Sequence, residues 1–270
     1  MGAGDTVLRG RHRQGHPRGG RRGSGPARLP PAGEPTLSAP STISLHEVTV
    51  TVDTPGGDLV LLRPTTVELG EHRIALIGGN GSGKSTFARL LNGLVEPTTG
   101  TVTVNGLDTA KDGPAVRRQV GFVFTNPDAQ LVMPTCLEDI ALSLRRSVPR
   151  KSERHAQARA ILDELGLGDK ADTSVHALSG GQKQMLALAG VLATGPRVLV
   201  ADEPTTLLDL RNTRLVAERL FSLPQQLVLV THALELAARC DRALVVDEAA
   251  IVFDGAPAEA VAFYRDRVDR

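Results

Sequence analysis

The regular part of the chain begins with an alternation of apolar and polar residues. Residues 43–52, ISLHEVTVTV, alternate as a half-buried β-strand does, and the stretch TPGGD after them supplies a turn. Residues 59–69 form a second strand-like segment. We therefore expect these two segments to form an antiparallel hairpin layer ahead of the next strand, at 73–77. Residues 100–105, GTVTVN, are expected to form another short strand.

Continuous apolar runs dominate the second half of the chain. The runs at 197–201 and 227–231 are typical of parallel strands that are buried on both faces of a sheet. A further strand is expected at 120–124, another at 243–247 with a hairpin partner at 250–253, and a terminal helix from Pro257. The alternation of strands and helices after residue 178 predicts an α/β fold.

Helical periodicity is concentrated in one region. A short helix is expected at 114–119, and residues 136–167 have apolar residues at helical spacing. Two helical faces are defined by these residues: Leu137, Ile140, Ala141 and Leu144, and then Ala158, Ile161, Leu162 and Leu165. The pattern predicts a helical subdomain, inserted at about 131–178.

Residues 1–40 differ in composition from the rest of the chain. They contain seven Arg and two acidic residues, a net charge of +5, whereas the remaining 24 basic and 28 acidic residues give −4. Gly, Pro and Arg without apolar periodicity predict a disordered basic tail, followed by one domain at 41–270. The tail is either an arm for anionic lipid or RNA, or a passive extension upstream of the true start. The pair Arg21-Arg22 is not a twin-arginine signal, because no apolar stretch follows it.

Composition disfavours several classes of function for the chain as a whole. The net charge of +1, the aromatic content of 3% and the absence of Trp give no reason to expect a nucleic-acid partner. Cys136 and Cys240 have no metal-ligand spacing and suit a reducing cytoplasm. No apolar stretch approaches the roughly 18–20 residues that a membrane-spanning helix needs, so we expect the chain not to cross a membrane alone.

A glycine-rich turn follows the strand at 73–77. Residues 78–85, GGNGSGKS, satisfy the pattern G-x-x-x-x-G-K-[ST] between a strand and a helix. Its backbone N–H groups can surround phosphate oxygens. Lys84 would reach the β- and γ-phosphates, and the Ser85 hydroxyl would bind Mg²⁺. The alternative is a plain glycine-rich turn, which the strand–loop–helix context disfavours.

Acidic residues and a histidine follow two of the apolar strands. Asp202 and Glu203 end the run VLVADE, and His232 follows the strand at 227–231. The carboxyl ends of parallel strands share one edge of the sheet, where ligands bind. Asp202 can hold Mg²⁺, Glu203 can orient or deprotonate an attacking water, and His232 can contact the γ-phosphate. The alternatives are a solvated strand end and a structural histidine.

A second glycine-containing turn precedes a helix at residues 178–184, LSGGQKQ. Ser179, Gly180 and Gly181 open this helix, with Gln182 onward in it, and offer a second anion-binding N-terminus. One active site has little use for two such turns. We therefore expect a head-to-tail dimer, in which this turn covers the nucleotide that the partner's loop holds.

These segments together resemble the ATP-binding cassette superfamily, over residues 42–265. GGNGSGKST resembles the Walker A motif, LSGGQ the signature, VLVADEP the Walker B segment, TTLLD the D-loop and THALELA the His switch. The resemblance implies a P-loop NTPase (RecA-like) core with an antiparallel β-layer and an inserted α-helical subdomain. It implies ATP and Mg²⁺ as cofactors, Lys84, Glu203 and His232 as catalytic residues, and Ser85 and Asp202 at the metal. The nucleotide-binding residues it implies are Gly78, Gly79, Asn80, Gly81, Ser82, Gly83, Lys84, Ser85, Thr86, Ser179, Gly180, Gly181 and Gln182.

Two longer segments are similar to the ATPases of energy-coupling-factor (ECF) transporters, which import vitamins and metals. They are VGFVFTNPDAQLVMPTCLEDIAL and DEPTTLLDLRN. The latter segment most resembles biotin-type members, followed by cobalt or nickel types. The resemblance implies a second cassette subunit, a transmembrane coupling protein, a substrate-binding membrane protein and a peripheral location on the cytoplasmic face of the membrane. We expect a groove near 125–145 to contact the membrane partner.

Some positions depart from the family pattern. Thr125 stands where a Gln is usual, and Gln130, five residues later, is not expected to replace it. Val52 stands near the position of the aromatic residue that stacks on adenine. Met185 and Ala233 replace a common Arg and a common Asp. We expect a working ATPase that is slow alone.

Three alternatives remain open. A regulatory cassette that binds ATP without hydrolysing it is favoured by Thr125 and Val52. A cassette ATPase acting on DNA is disfavoured, since only 94 positions separate Lys84 from Leu178 and a coiled-coil arm does not fit there. A ribosome-associated protein is disfavoured because such proteins usually hold two cassettes, and this chain holds one.

Overall fold

A computed structural model describes residues 1–2 and 41–269. The predicted disordered tail falls almost entirely outside these residues and stays a prediction. Within the described residues the elements in chain order are β1 (Ile43–Thr54), β2 (Gly57–Leu69), β3 (Arg73–Ile77), α1 (Lys84–Leu90), β4 (Thr99–Val104), β5 (Leu107–Asp108), α2 (Gly113–Gln119), β6 (Val120–Val123), α3 (Cys136–Ser143), α4 (Lys151–Glu164), α5 (Gly180–Leu192), β7 (Val198–Asp202), α6 (Leu210–Phe221), β8 (Gln226–Val230), α7 (Leu234–Ala237), β9 (Arg242–Asp247), β10 (Ala250–Gly255) and α8 (Pro257–Val268).

The predicted hairpin is formed by β1 and β2, and β4 and β5 extend it into a separate antiparallel sheet. Its strand order is β2-β1-β4-β5, and β1 pairs with both β2 and β4. The inward residues Ile43, Leu45 and Val102 are at most 1% exposed. They pack with one face of a second sheet, so the alternation in the sequence has its cause in one buried and one exposed face.

The continuous apolar runs form a six-stranded sheet of order β10-β9-β3-β8-β7-β6. Strands β3, β6, β7, β8 and β9 are parallel, and β10 joins the edge antiparallel to β9. In β3, Leu76 faces the antiparallel layer and Ile77 faces helices α5 to α8. Both faces are therefore covered, and the carboxyl ends of β3, β7 and β8 lie side by side.

The helical subdomain has a core of its own. Ile140 of α3 and Leu162 of α4 are fully buried and pack with Leu186 of α5. Leu188 and Val191, on another face of α5, pack under the large sheet. Helix α5 therefore bridges the subdomain and the sheet. The predicted helical stretch 136–167 is interrupted at 144–150, where a turn containing Pro149 separates α3 from α4.

None of the helices within residues 41–269 combines the length and the hydropathy that a membrane span requires.

Candidate nucleotide-binding site

The glycine-rich turn lies between β3 and α1, and two of its glycines are required by their surroundings. Gly78 has φ 154°, and a Cβ there would lie 2.1 Å from the Val246 carbonyl oxygen. Gly83 has φ 106°, and its Cβ would lie 2.8 Å from the Leu61 carbonyl oxygen. The loop therefore runs closer to its neighbours than a side chain permits.

Lys84 is folded back over this loop. Its Nζ donates to the Gly79 carbonyl oxygen at 2.7 Å, and the residue is 5% exposed. Burial lowers the pKa of the Lys84 ammonium, while the carboxylates of Glu203 and Asp202 act against that shift. A buried ammonium between a cradle of backbone groups and two carboxylates is suited to an anionic ligand.

Ser85 and Asp202 are brought into contact across the gap between α1 and β7. Ser85 Oγ donates to Asp202 Oδ1 at 3.0 Å, and Asp202 is 2% exposed. Burial raises the pKa of the Asp202 carboxyl, and the hydrogen bond from Ser85 opposes this. Arg89 approaches Asp202 Oδ2 at 3.9 Å. A buried carboxylate beside a hydroxyl is a suitable pair of oxygen ligands for a divalent cation.

Glu203 and His232 also meet, because β7 and β8 are adjacent and Asp202 pairs with Val230. His232 Nδ1 lies 2.8 Å from Glu203 Oε2, and Thr206 Oγ1 donates to the same oxygen at 2.7 Å. Glu203 has φ 51°, in the left-handed region that costs a side chain roughly 1–2 kcal/mol. The strand end thus holds this carboxylate in an uncommon conformation beside a histidine.

Thr125 contacts the same end of β7 through a main-chain oxygen. Its Oγ1 donates to the Asp202 carbonyl oxygen at 2.8 Å. Gln130 is engaged elsewhere, since its Oε1 accepts from the Phe124 N–H at 3.3 Å and its Nε2 donates to the Ala187 carbonyl oxygen at 3.4 Å. This geometry agrees with the expectation that Gln130 does not take the place of a Gln at 125.

The second glycine-containing turn opens α5 in the manner predicted, with the helix starting two residues earlier than Gln182. Ser179 Oγ accepts from the Gln182 N–H at 3.4 Å, and Gln182 Oε1 accepts from the Ser179 N–H at 3.0 Å, which is a capping box. Within the described residues, no hydrogen bond or ion pair joins this turn to the loop at 78–86. One chain thus holds two separate glycine-containing turns, each at the N-terminus of a helix.

Gly181 has a role that the sequence did not indicate. A Cβ at this position would lie 2.2 Å from Asn212 Cγ. Asn212 is held there by Asp209, whose Oδ1 accepts from its N–H at 2.8 Å and whose Oδ2 accepts from its Nδ2 at 2.9 Å. The glycine therefore permits α5 and α6 to approach each other. No local pattern shows such a contact between residues 31 positions apart.

Two exposed features lie outside these polar contacts. Val52 pairs with Leu59 near the tip of the β1–β2 hairpin, and the two are 45% and 53% exposed. A groove of about 290 Å³ lies between α3 and α4 and is lined by Met133, Glu138, Ala141, Leu142, Arg145, Lys151, Arg154 and His155. The groove overlaps the predicted surface near 125–145 and extends beyond it onto α4.

The sequence matches the model of a family described as ABC transporter over residues 65–206. A putative ABC transporter ATP-binding protein of Deinococcus radiodurans is 49% identical over 208 residues, which cover 77% of this chain and 92% of that protein. The biotin transport ATP-binding protein BioM of Rhizobium etli is 47% identical over 210 residues, covering 78% and 93%. The energy-coupling factor transporter ATP-binding protein EcfA1 of Halalkalibacterium halodurans is 40% identical over 198 residues, covering 71% and 70%.

Two solved structures have the same fold. One is cbiO1 from Clostridium perfringens, part of the ABC transporter complex cbiONQ, with a TM-score of 0.70 and 27% identity over 84% of this chain and 93% of that one. The other is a dimeric ATP-binding cassette in a post-hydrolysis state bound to ADP and Pi, with a TM-score of 0.71 and 26% identity over 80% and 98%. These likenesses confirm the predicted fold class, a P-loop NTPase core with an antiparallel β-layer and an α-helical subdomain.

Proposed function

Because this chain belongs to the ABC transporter family, as its ATP-hydrolysing cassette, we propose that it powers an energy-coupling-factor importer of a micronutrient, with biotin as the first candidate. The observation that carries the proposal is the meeting of Ser85 with Asp202 and of Glu203 with His232 beside the phosphate loop. The likeness to a biotin transport ATP-binding protein supports the choice of cargo.

The nucleotide phosphates bind the loop 78–86 in this proposal. Lys84 Nζ exchanges its contact with the Gly79 carbonyl oxygen for the β- and γ-phosphates. Ser82 Oγ, which is buried and has no hydrogen-bond partner within residues 41–269, gains one from a phosphate oxygen. Adenine lies against Val52 by aliphatic contact, which is weaker than stacking by about 1–3 kcal/mol.

Mg²⁺ fits the oxygen pair of Ser85 and Asp202. Among the described residues, no three His, Cys, Asp or Glu side chains come together as a metal site of their own. That suits Mg²⁺, which uses one or two protein ligands together with substrate phosphates and water. When bound, the ion neutralises charge that develops on the phosphates.

Glu203 accepts the proton of the attacking water, and His232 holds the γ-phosphate end of the site. The hydrogen bonds from His232 and Thr206 to Glu203 Oε2 leave its other carboxylate oxygen for the water. The left-handed backbone at Glu203 fixes the direction of this side chain. Ground-state contacts of this kind tighten when substrate is bound.

Two copies assemble head to tail, or one copy with a related cassette. In that arrangement Ser179, Gly180 and Gln182 cover the nucleotide held by the partner's loop. A Cβ at Gly180 would lie 3.9 Å from the Leu207 carbonyl oxygen. Leu207 and Leu210 are 63% and 67% exposed and would be covered in such a dimer. The similar cassette bound to ADP and Pi is itself dimeric, which supports this assembly.

The groove between α3 and α4 receives a transmembrane coupling protein, and a separate membrane protein binds the cargo. Leu142, 40% exposed, gives this groove an apolar wall, while Arg145 and Lys151 give it a polar rim. The subunit is then peripheral, on the cytoplasmic face of the membrane. The likeness to a subunit of the complex cbiONQ supports membrane partners.

Uptake of labelled biotin and of cobalt ions by cells lacking this gene tests the proposal. The cells are complemented with wild type, with Lys84→Ala, or with Lys111→Ala, a control in which the lysine is 82% exposed. We expect wild type and Lys111→Ala to restore biotin uptake and Lys84→Ala not to. Restoration of cobalt uptake alone would favour the second candidate, a cobalt or nickel importer, which the segment DEPTTLLDLRN also resembles. Uptake restored by Lys84→Ala would contradict the ATP-driven mechanism.

A further inference from the structure

The residue after β6 is held on both sides by glutamine side chains. The Phe124 N–H donates to Gln130 Oε1 and the Phe124 carbonyl oxygen accepts from Gln184 Nε2, each at 3.3 Å. Gln184 belongs to α5 and is 1% exposed. A buried amide without hydrogen-bond partners is destabilising, so these bonds favour one position of Phe124 relative to α5.

Two further contacts fasten the same loop to α5. Gln130 Nε2 donates to the Ala187 carbonyl oxygen at 3.4 Å, and Lys183 Nζ lies 2.7 Å from Asp128 Oδ1. Lys183 is 15% exposed, so this ion pair is partly shielded from solvent. Residues 124–130 and the first turns of α5 therefore move together, as one body.

The loop connects α5 to the candidate metal site. Thr125, next to the clamped Phe124, donates from Oγ1 to the Asp202 carbonyl oxygen at 2.8 Å, and the Asp202 side chain accepts from Ser85 at 3.0 Å. Helix α5 begins at the turn that faces the partner's nucleotide, about 12 Å along the helix from Ala187. A continuous series of contacts thus joins the turn that opens α5 to the candidate metal site at Ser85 and Asp202.

We propose that Gln130 and Gln184 are positioning residues, which pass a displacement of α5 through Thr125 to Asp202. Closure of Ser179 and Gly180 on the partner's ATP then sets the backbone of this chain's own metal ligand, so each nucleotide site adjusts the other. The Thr125 side chain acts through the main-chain carbonyl of Asp202. The inference rests on the proposed nucleotide site and dimer.

Steady-state ATP hydrolysis by the full chain, as a function of ATP concentration, tests this coupling. Gln184→Met keeps the volume of the side chain and removes its hydrogen bond. Thr125→Val removes the bond to Asp202, and Thr125→Ser restores it. The matched control is Gln226→Met, because Gln226 is 5% exposed, bonds the Glu71 carbonyl oxygen at 2.9 Å and lies at the opposite end of β8 from His232.

We expect Gln184→Met and Thr125→Val each to lower kcat about tenfold, which corresponds to about 1.4 kcal/mol, with KM for ATP changed less than about twofold. Each variant loses one hydrogen bond of the series. The Hill coefficient falls toward one, and Thr125→Ser recovers most of kcat. The double variant Gln184→Met with Thr125→Val is no slower than either single variant, because both break one series of contacts.

The inference would be overturned if the fold-loss of kcat in the double variant equalled the product of the two single losses. It would also be overturned if Gln184→Met lost no more kcat than Gln226→Met. If Gln184→Met does not fold, the comparison of Thr125→Val with Thr125→Ser decides alone. If the wild-type protein binds ATP but does not hydrolyse it, that result contradicts the proposed function and not the coupling. The same variants are then compared by the Mg²⁺ dependence of ATP binding, and an unchanged dependence would overturn the coupling.

Discussion

Substitution of Gly78 by Ala tests whether the phosphate loop needs its close approach to the sheet. The added Cβ would lie 2.1 Å from the Val246 carbonyl oxygen, about 1 Å closer than real Cβ atoms come, and 2.9 Å from Ser82 Oγ. Val246 belongs to β9, which is fixed by its pairing with β3, so the loop has to move instead. Overpacking costs about 1–3 kcal/mol.

Backbone strain adds to this cost. At φ 154° an Ala side chain costs about 1–3 kcal/mol more, and the reduced freedom of the unfolded chain returns about 0.4–1 kcal/mol. We expect the free energy of unfolding to fall by about 1–6 kcal/mol in Gly78→Ala, which lowers the Tm by roughly 2–24 °C. Denaturant unfolding of the full chain measures it.

Gly79→Ala is the matched control, because a Cβ at Gly79 meets nothing within 4 Å. Its unfolding free energy should stay within about 1 kcal/mol of wild type. Equal stability of the two variants would refute the argument that the Val246 carbonyl sets the loop.

Three other outcomes follow from contacts away from the phosphate loop. Gly181→Ala should lower the free energy of unfolding by about 1–3 kcal/mol, because the added Cβ meets Asn212. In a double-mutant cycle, the same substitution should cost less in an Asn212→Ala protein, and equal costs with Asn212 and with Ala at 212 contradict the contact. Arg73→Met should destabilise by about 3 kcal/mol, since the buried guanidinium donates to the carbonyl oxygens of Leu223 and Gln225, the latter at 2.7 Å. A loss of less than about 1 kcal/mol in urea unfolding refutes this. Burial raises the pKa of Cys240 to about 12 and also raises the pKa of Cys136, so both side chains stay thiols at pH 8. Iodoacetamide should therefore label them only after denaturation, and rapid labelling of the native protein contradicts this.

The elements and the polar edge of the sheet were predictable because their signals are local. β3 was predicted at its observed bounds from a run of four apolar residues, all of them buried. The rule that parallel strand ends share an edge predicted Glu203 and His232 at the same edge of the sheet, and the structure adds their 2.8 Å contact. Such predictions need only the sequence of each strand and the order of strands along the chain.

The contacts of α5 were not predictable in the same way. Gln184 and Phe124 are 60 positions apart, and Gly181 and Asn212 are 31 apart, so each pair depends on how helices pack. The Lys84 contact with Gly79 is likewise set by three-dimensional burial. In Thr125 the sequence showed a departure from the family, whereas only the structure showed the Asp202 carbonyl as its partner.

ATP turnover by wild type and by Glu203→Gln tests the central claim most directly, with ATP binding measured on the same samples. Glu218→Gln is the control, because the Glu218 side chain is 71% exposed and its carboxylate accepts from Arg239 at 2.8 Å on the outer face of α6. We predict that Glu203→Gln binds ATP as wild type does and hydrolyses it at least about 100-fold more slowly, whereas Glu218→Gln is unaffected. Equal turnover of wild type and Glu203→Gln would contradict the account.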